Sequence, residues 1–476
     1  MVTDGYVEPA VQGLLDVIGL SGEYRAGSVR LVGEDPVVPS RSRLGLASAA
    51  ALAAQGAAIA TIWHEMTGEK QDVRVDVRQA ANPGLRTCSV LRQNGHTIRQ
   101  PGPPDEDNNF FITRDGRRIY LLRTSLQQKH RGRLLAFLGC SDGTTSALAE
   151  AVRHWDSLEL EDALADQKLI GVIARPRAEW LSHPQGQWLN SRPPISIEKI
   201  AESEPEPFSR TARPLSGLRV LDMAHVLAGP ICSRVLAEQG ADVLHVSSPH
   251  DRDAFYIELD TMFGKRASYI DLNRASDETR LWELIRSCDV FAHSWRPGSL
   301  ERRGLSMERM AACRPGIIFV SVSCYGYGGP WMTRGGYEPL GQTACGLVLD
   351  EGTMDEPLLA PTYTLNDYLA GYLAAAGVLG ALIRRAHEGG SYHVHVSLTR
   401  CSMWVQELGL LEQSKWPTRE ARSKLPKLRE SDLMSTETVF GMVDHAAPIT
   451  HYSNSRAYWA RPPVPPGANQ ASWLPR

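Results

Sequence analysis

The chain has 476 residues, of which 51 are basic and 54 acidic, so its formal net charge at pH 7 is −3. That length suits two or three domains, and the near-neutral balance argues against nucleic acid or an anionic membrane as the main partner. The eight cysteines are scattered without a C-x-x-C pair, and the acidic segment Met1–Ala10 lacks the apolar core of a secretory signal. We therefore expect reduced thiols in a cytoplasmic protein and no zinc site.

The first long helix is predicted where the chain is rich in alanine. Leu44–Trp63 carries no charge and is long enough to cross a bilayer. Most of its side chains are nevertheless small, so its insertion into a membrane would be marginal. A helix buried inside the protein is the better interpretation.

The same pattern recurs later in the chain. The helical segment Leu46–Gly56 and the strand-like Asp72–Val77 align without gaps with the helical segment Asp367–Gly377 and the strand-like His393–Ser397. The shared order of helix, glycine turn and strand favours a partial duplication. Asp367 falls opposite Leu46 in this alignment, so only the second copy has a carboxylate there for chemistry.

Between the two copies the sequence predicts a smaller α+β region and then a linker. Arg118–Leu122 reads as a short strand, and helical patterns follow around Arg131–Leu138 and Glu159–Ala165, which together predict a smaller α+β region. Residues 202–214 are polar and proline-rich, which is typical of a linker.

After the linker, apolar strands alternate with helices. This order indicates parallel βαβ units in an open, doubly wound sheet, which binds ligands at the carboxyl ends of its strands. No G-x-G-x-x-G follows the first strand, so a dinucleotide site of the usual kind is not predicted. The predicted strands are Leu218–Asp222, Ala241–Val246, Val290–His293 and Ile317–Val322, and the helices are Ile231–Gln239 and Asp277–Cys288.

Two histidines in the second copy are a weak metal signal. His393 and His395 lie on one face of a predicted strand and could bind a metal, but no third ligand is near them in the sequence. We therefore predict no metal site.

Short phrases in a fixed order carry the strongest functional signal. They are Pro214–Asp222, His225–Pro230, Gly240–Val243, Gly264–Arg266 with Ile270–Leu272, Arg296–Gly298 with Leu300–Gly304, Gly336–Glu338 and Asn366–Gly371. In this order they resemble the family III CoA-transferases of the formyl-CoA and carnitine-CoA (CaiB/BaiF) type. The resemblance spans roughly Pro214–Leu398, while the N-terminal part is similar to the later half of the same family.

The resemblance implies a domain organisation. Residues 1–201 would be a degenerate late half with the small domain, and residues 215–400 the large CoA-binding domain with a Rossmann-like sheet. The tail, residues 401–476, matches the family poorly. The family's interlocked rings imply a homodimer.

The resemblance also implies residue roles, with Asp367 as the catalytic nucleophile and no cofactor beyond coenzyme A as carrier substrate. Arg296, Arg302 and Lys265 are candidates for the CoA phosphates. By spacing alone, Asp367 could instead be a helix N-cap. The implied CoA contacts are His225, Leu227, Ala228, Ile270, Asp271, Leu272, Asn273, Ser294, Trp295, Arg296, Arg302, Gly335, Gly336, Tyr337 and Glu338.

The implied reaction transfers coenzyme A from an acyl-CoA thioester to a carboxylic acid through aspartyl anhydride and aspartyl-CoA intermediates. Three positions depart from the family pattern: Ser247 and Ser248 replace a common Glu-Arg pair, and Leu227 stands where some members have Gln. A 2-methylacyl-CoA racemase-like enzyme is an alternative, although Tyr337 occupies the position of its histidine. A non-catalytic CoA-binding protein is the other alternative.

Overall fold

The computed structural model describes residues 8–20, 26–98, 109–123, 128–422 and 424–475. Residues 1–7, most of the segment inspected for a secretory signal, lie outside these ranges. The helices are α1 (Pro9–Ile18), α2 (Leu44–Thr67), α3 (Val77–Ala81), α4 (Gln128–Leu138), α5 (Thr145–Val152), α6 (Ser157–Asp166), α7 (Arg177–Ser182), α8 (Pro184–Asn190), α9 (Ala228–Glu238), α10 (Phe255–Thr261), α11 (Ala275–Ile285), α12 (Met307–Cys313), α13 (Glu338–Cys345), α14 (Leu347–Glu351), α15 (Leu365–Glu388), α16 (Leu398–Glu407) and α17 (Arg419–Arg422). The strands are β1 (Val29–Val32), β2 (Val73–Asp76), β3 (Arg92–Gln93), β4 (His96–Thr97), β5 (Phe110–Ile112), β6 (Arg118–Leu121), β7 (Gly171–Ile173), β8 (Ser196–Ala201), β9 (Arg219–Asp222), β10 (Asp242–Ser247), β11 (Lys265–Tyr269), β12 (Val290–His293), β13 (Ile318–Ser323), β14 (Ser391–Ser397), β15 (Leu433–Thr438), β16 (Gly441–Ala446) and β17 (Thr450–Tyr452).

The largest sheet has seven strands in the order β11-β10-β9-β12-β13-β14-β8. Strands β9 to β14 run parallel, and β8 is antiparallel to β14. Numbered from β9, the parallel strands follow the order 3-2-1-4-5-6 of doubly wound nucleotide-binding sheets. The predicted α/β class with a Rossmann-like, doubly wound sheet is therefore confirmed.

Two strands of this sheet, β8 and β11, were not predicted. β11 begins with two cations, Lys265 and Arg266, so its sequence lacks the apolar pattern of a buried strand. The structure buries Lys265 because its ammonium donates to Asp222 Oδ2 at 2.8 Å and to the Pro230 carbonyl at 2.8 Å. Our expectation that Lys265 meets the phosphates of CoA is therefore wrong.

The structure also shows the duplication. α2 and α15 each span 24 residues, and each is followed by a strand and a further helix at the same spacing, β2 with α3 and β14 with α16. The helices approach their strands equally closely, because a Cβ on Gly56 would lie 2.4 Å from Val73 Cγ1 and a Cβ on Gly377 2.6 Å from Val394 Cγ1. These four residues occupy equivalent positions in the ungapped alignment.

The two repeat helices form the centre of the molecule. By length and composition alone both could cross a membrane. However, 89% of the most apolar 18-residue window of α2 and 94% of that of α15 are buried inside the protein, and the helices pack against each other. The prediction of a buried alanine-rich helix at Leu44–Trp63 is confirmed.

Each copy completes its sheet with an antiparallel strand from a distant part of the chain, an arrangement that we call the strand exchange. In the second copy, β14 lies between parallel β13 and antiparallel β8, and β8 comes from the N-terminal part. In the first copy, β2 lies between parallel β1 and antiparallel β17, and β17 comes from the tail. The boundary predicted after residue 201 thus separates β8 from the sheet that it completes, and the boundary after residue 400 falls inside α16.

The smaller α+β region has a core of its own. Its sheet has the order β5-β6-β7, and α4, α5 and α6 pack on it. The tail forms the hairpin β15–β16 and then runs along the outer edge of the large sheet, where Asn469 exchanges two hydrogen bonds with Ala267 of β11 at 2.7 and 2.9 Å. The tail therefore covers the exposed edge of β11.

Candidate active site

Asp367 lies in the first turn of α15. The helix is preceded by Thr364 as its N-cap, so Asp367 is the third helical residue and the N-cap interpretation is wrong. Only 9% of Asp367 is exposed, and within the described parts of the chain its carboxylate accepts no hydrogen bond. Burial without such bonds raises the pKa of Asp367 to about 7. The group is thus a buried carboxyl that ionises near neutral pH.

Glu338, at the start of α13, is a second buried carboxyl in the same site. Its Oε1 accepts hydrogen bonds from Gln342 Nε2 at 2.6 Å and from the Asn366 N–H at 3.1 Å, whereas Oε2 has no partner among the described residues. Burial, followed by the charge of nearby Asp367, raises the pKa of Glu338 to about 8. Both buried carboxyls of this site therefore hold a proton more readily than exposed carboxyls do.

A cavity of about 70 Å³ opens beside Asp367. Apolar side chains such as Val322 and Met332 form much of its wall, and Arg334 supplies a cation that is paired with Asp162 at 2.6 Å. Several predicted CoA contacts meet here. They are His225, Leu227, Ala228, Ser294, Arg296, Gly336 and Tyr337.

A larger cavity of about 270 Å³ lies beyond the carboxyl ends of β9, β10 and β12. That is where open parallel sheets bind their ligands. His225 lines both cavities, so the two are neighbours across the loop that follows β9. The predicted contacts in the larger cavity are His225, Ile270, Asp271, Leu272, Asn273 and Trp295.

Three predicted contacts line neither cavity. Arg302 is exposed in a short 3₁₀ turn, where its Nη2 donates to Ser299 Oγ at 3.3 Å. Gly335 packs against the guanidinium of Arg296, which leaves no room for a Cβ. Glu338 instead accepts hydrogen bonds from Gln342 and Asn366, as described above.

Other residues line the cavities but were missed from the sequence. Arg303, next to the predicted Arg302, lines the larger cavity, and so does Pro466 from the tail. The phrase Leu300–Gly304 was a usable signal for Arg303, because it contains both arginines. Nothing local marks Pro466, because it reaches the cavity only through tertiary packing of the tail.

The loop between β9 and α9 is held in an unusual conformation. Val226 has a φ of +62°, which is rare for a β-branched residue, and its N–H donates to Asp253 Oδ2 at 2.7 Å. The His225 N–H donates to Ser294 Oγ at 2.9 Å. The next N–H groups, of residues 227–229, have no acceptor among the described residues. A helix start with free N–H groups suits an anion or a developing oxyanion.

The two histidines considered as metal ligands are hydrogen-bonded instead. His393 Nε2 lies 2.6 Å from Ser321 Oγ, and His395 Nε2 lies 3.1 Å from Ser323 Oγ. Within the part of the chain that the structure describes, no group of three or more histidine, cysteine or acidic side chains could hold a metal ion.

Known proteins resemble this chain over part of its length. The sequence model of CoA-transferase family III matches residues 215–440. An acetyl-coenzyme A transferase of Hypoxylon pulicicidum is 32% identical over 61% of this chain and 52% of that protein. A formyl-CoA:oxalate CoA-transferase of Streptomyces coelicolor is 32% identical over 43% of this chain and 52% of that protein.

A third relative carries the names of two further acids, succinate and L-malate. The alpha subunit of a succinyl-CoA–L-malate CoA-transferase of Chloroflexus aurantiacus is 31% identical over 46% of this chain and 53% of that protein. The chain thus spans about half the length of each of these curated relatives.

Proposed function

We propose that this chain transfers coenzyme A from an acyl-CoA thioester to a carboxylic acid, in line with the match of its residues 215–440 to CoA-transferase family III. One observation carries the proposal. The buried carboxylate of Asp367 faces a small cavity that adjoins, at His225, a larger cavity at the carboxyl ends of the parallel strands. This arrangement suits a substrate with a nucleotide at one end and a reactive thioester at the other.

In this proposal the nucleotide half of CoA occupies the larger cavity. Arg303 provides a cation for its phosphates, while Asn273 and Trp295 provide a polar group and an aromatic surface. The pantetheine arm then passes His225 and brings the thioester into the smaller cavity beside Asp367.

The chemistry starts with attack of the Asp367 carboxylate on the thioester carbonyl. The C–S bond breaks, which gives a mixed anhydride and CoA thiolate. The thiolate attacks the aspartyl carbonyl, the anhydride C–O bond breaks, and the donor acid leaves as a carboxylate. An acceptor carboxylate then attacks the aspartyl-CoA thioester, and the same two steps in reverse give the new acyl-CoA and free Asp367.

The surroundings of Asp367 favour these steps over hydrolysis. The apolar wall formed by Val322, Met332 and Leu398 keeps water from the anhydride. The free N–H groups at the start of α9 can stabilise an oxyanion as it develops.

Trapping of the intermediate tests the proposal. The protein is incubated with a panel of acyl-CoA donors and hydroxylamine, and the peptide that contains Asp367 is analysed by mass spectrometry. We expect a hydroxamate at Asp367, and none in the matched variant Asp367→Asn. CoA binding without a hydroxamate would indicate a non-catalytic binding protein, and racemisation of a chiral 2-methylacyl-CoA without an acceptor would indicate the racemase-like alternative.

Several finer expectations remain predictions. They are the identity of the acids, a homodimeric assembly, a cytoplasmic location and the absence of any cofactor beyond CoA itself. A screen of donors against a panel of carboxylates would identify the acids.

A further inference from the structure

One face of the helix that carries Asp367 is hydrogen-bonded to the N-terminal copy. Thr364, Tyr368 and Tyr372 are spaced four residues apart and therefore lie on the same side of α15. The Thr364 hydroxyl donates to the Leu85 carbonyl at 2.8 Å, and the Tyr372 hydroxyl donates to the Gly84 carbonyl at 2.6 Å. The connection after α3 thus follows the first two turns of α15.

Tyr368, the middle residue of the three, makes the most extensive contacts. Its hydroxyl accepts from the Cys88 N–H at 2.7 Å and donates to Asp260 Oδ2 at 2.9 Å. The same carboxylate oxygen accepts from Thr87 Oγ1 at 2.6 Å. Asp260, Tyr368, Thr87 and Cys88 are each at most 1% exposed. Buried hydrogen bonds to a carboxylate are strong and geometrically specific.

Asp260 also connects this network to the larger cavity. It lies on α10, and the neighbouring residues Glu258, Thr261 and Met262 line the cavity proposed for the nucleotide. One carboxylate therefore fixes the N-terminal connection, the helix of Asp367 and the wall of the CoA cavity relative to one another.

Asp367 depends on such external support. Its own carboxylate accepts no hydrogen bond from a described residue, and Thr364 uses its hydroxyl on Leu85 instead of capping the helix. The position of Asp367 is therefore set by the rotation of the first turns of α15. Tyr368, the next residue, fixes that rotation.

We propose that Thr87, Asp260 and Tyr368 are positioning residues that hold Asp367 at attacking distance from a thioester, so that the N-terminal copy contributes to the active site of the same chain. The inference rests on the proposed function. Misplacement of a reacting group by about 1 Å can reduce a rate by roughly a hundredfold, so small shifts at this network would be measurable in kcat.

Two matched substitutions test the inference. Tyr368→Phe removes the hydroxyl that bridges Cys88 and Asp260, whereas Tyr372→Phe removes a buried hydroxyl on the same helix face, one turn farther from Asp367. For Tyr368→Phe we expect kcat to fall about ten- to a hundredfold with the KM for acyl-CoA within about twofold. For Tyr372→Phe we expect kcat within about twofold of the unsubstituted protein, although both variants should unfold at a lower temperature.

Thr87 offers a second test that preserves the tyrosine. Thr87→Ser keeps the hydroxyl and should keep kcat, while Thr87→Val removes it at nearly constant volume and should lower kcat about tenfold. An equal effect of Tyr368→Phe and Tyr372→Phe on kcat, or full activity of Thr87→Val, would overturn the inference. Failure of the proposed function would be recognised separately, by the absence of a hydroxamate in the unsubstituted protein.

Discussion

The two repeat helices begin in opposite ways. In α2, the N–H groups of Gly45 and Leu46 donate to the two oxygens of Asp35 at 3.0 and 2.8 Å. In α15, the equivalent N–H of Asn366 donates to Glu338 at 3.1 Å, and that of Asp367 has no acceptor among the described residues. In the first copy a carboxylate from outside the helix thus accepts both N–H groups, whereas in the second a carboxyl from outside accepts only one, and Asp367 itself lies on the helix.

This difference shows how one scaffold serves two purposes. Helix length, the close glycine–valine contact and the strand that follows are the same in both copies. What changes is how many N–H groups of the first helical turn have an acceptor. In α2 the bonds to Asp35 stabilise the fold, and in α15 polar groups stay free beside a cavity. Unsatisfied buried groups of this kind cost stability, so where they persist they often belong to a functional site.

The largest effect is expected from the nucleophile itself. Asp367→Ala should reduce transfer by more than about a thousandfold, because it removes the carboxylate that forms the covalent intermediate. Calorimetric titration should show CoA binding largely intact, and chromatography of the acyl-CoA products measures the transfer. Leu46→Asp in the Asp367→Ala background should not restore transfer, because Asp35 already occupies the start of α2; restored transfer would show that the copies are interchangeable.

The next effect concerns stability and pH. The pKa of Asp367 is raised to about 7 in the folded protein, so the folded state holds a proton that the unfolded state releases between about pH 4 and pH 7. Stability is therefore lost as the pH rises through that window. Asp367→Asn should raise the free energy of unfolding by on the order of 2–4 kcal/mol at pH 8 and by much less at pH 4.

Urea denaturation of Asp367→Asn at the two pH values measures this difference, and an equal gain at both would contradict a raised pKa. The same ionisation should appear in the rate of the unsubstituted protein. Its kcat/KM should rise with pH up to about 7, because the nucleophile must be ionised.

The glycine pair tests the geometry that the copies share. Gly56→Ala and Gly377→Ala should each destabilise the protein by about 1–3 kcal/mol, because the new methyl group would overlap Val73 or Val394. Gly13→Ala in α1 is the control, since nothing lies within 4 Å of its added Cβ and alanine favours a helix by about 1 kcal/mol. Clearly unequal losses of stability for Gly56→Ala and Gly377→Ala would contradict the structural equivalence of the two positions.

The smallest effect is expected at the cap of the first copy. Asp35→Ala removes the acceptor of two helix N–H groups and should cost about 1 kcal/mol of stability. Because the proposed nucleophile lies on α15 and not on α2, kcat per folded molecule should stay within about twofold. Thermal unfolding and steady-state kinetics of the same preparation check both points, and a large loss of kcat would place Asp35 in the site.

Local pattern was sufficient for much of the fold. The apolar strands Val290–His293 and Ile318–Ser323 were predicted within one residue, and the starts of the duplicated helices within two, because their periodicity is a property of neighbouring residues. The order of phrases likewise predicted Asp367, and twelve of the fifteen predicted CoA contacts line the two cavities.

The rest depended on distant parts of the chain. Lys265 was a candidate for the phosphates because of its charge, but its ammonium pairs with the buried Asp222 of β9, which lies two strands away in the sheet. Thr87 and Asp260 were missed because their meeting with Tyr368 requires the packing of three separate segments. No spacing within any one segment records such a contact.

The strand exchange also affects how the chain can mature during synthesis. β2 leaves the ribosome early, but Thr450 of β17, which pairs with Val75, follows only after the whole large domain. Until then β2 has an unpaired edge, and such edges associate readily with other chains. Native pairing of the first copy is therefore among the last events of folding, and a nascent chain of this protein needs protection of that edge for most of its translation.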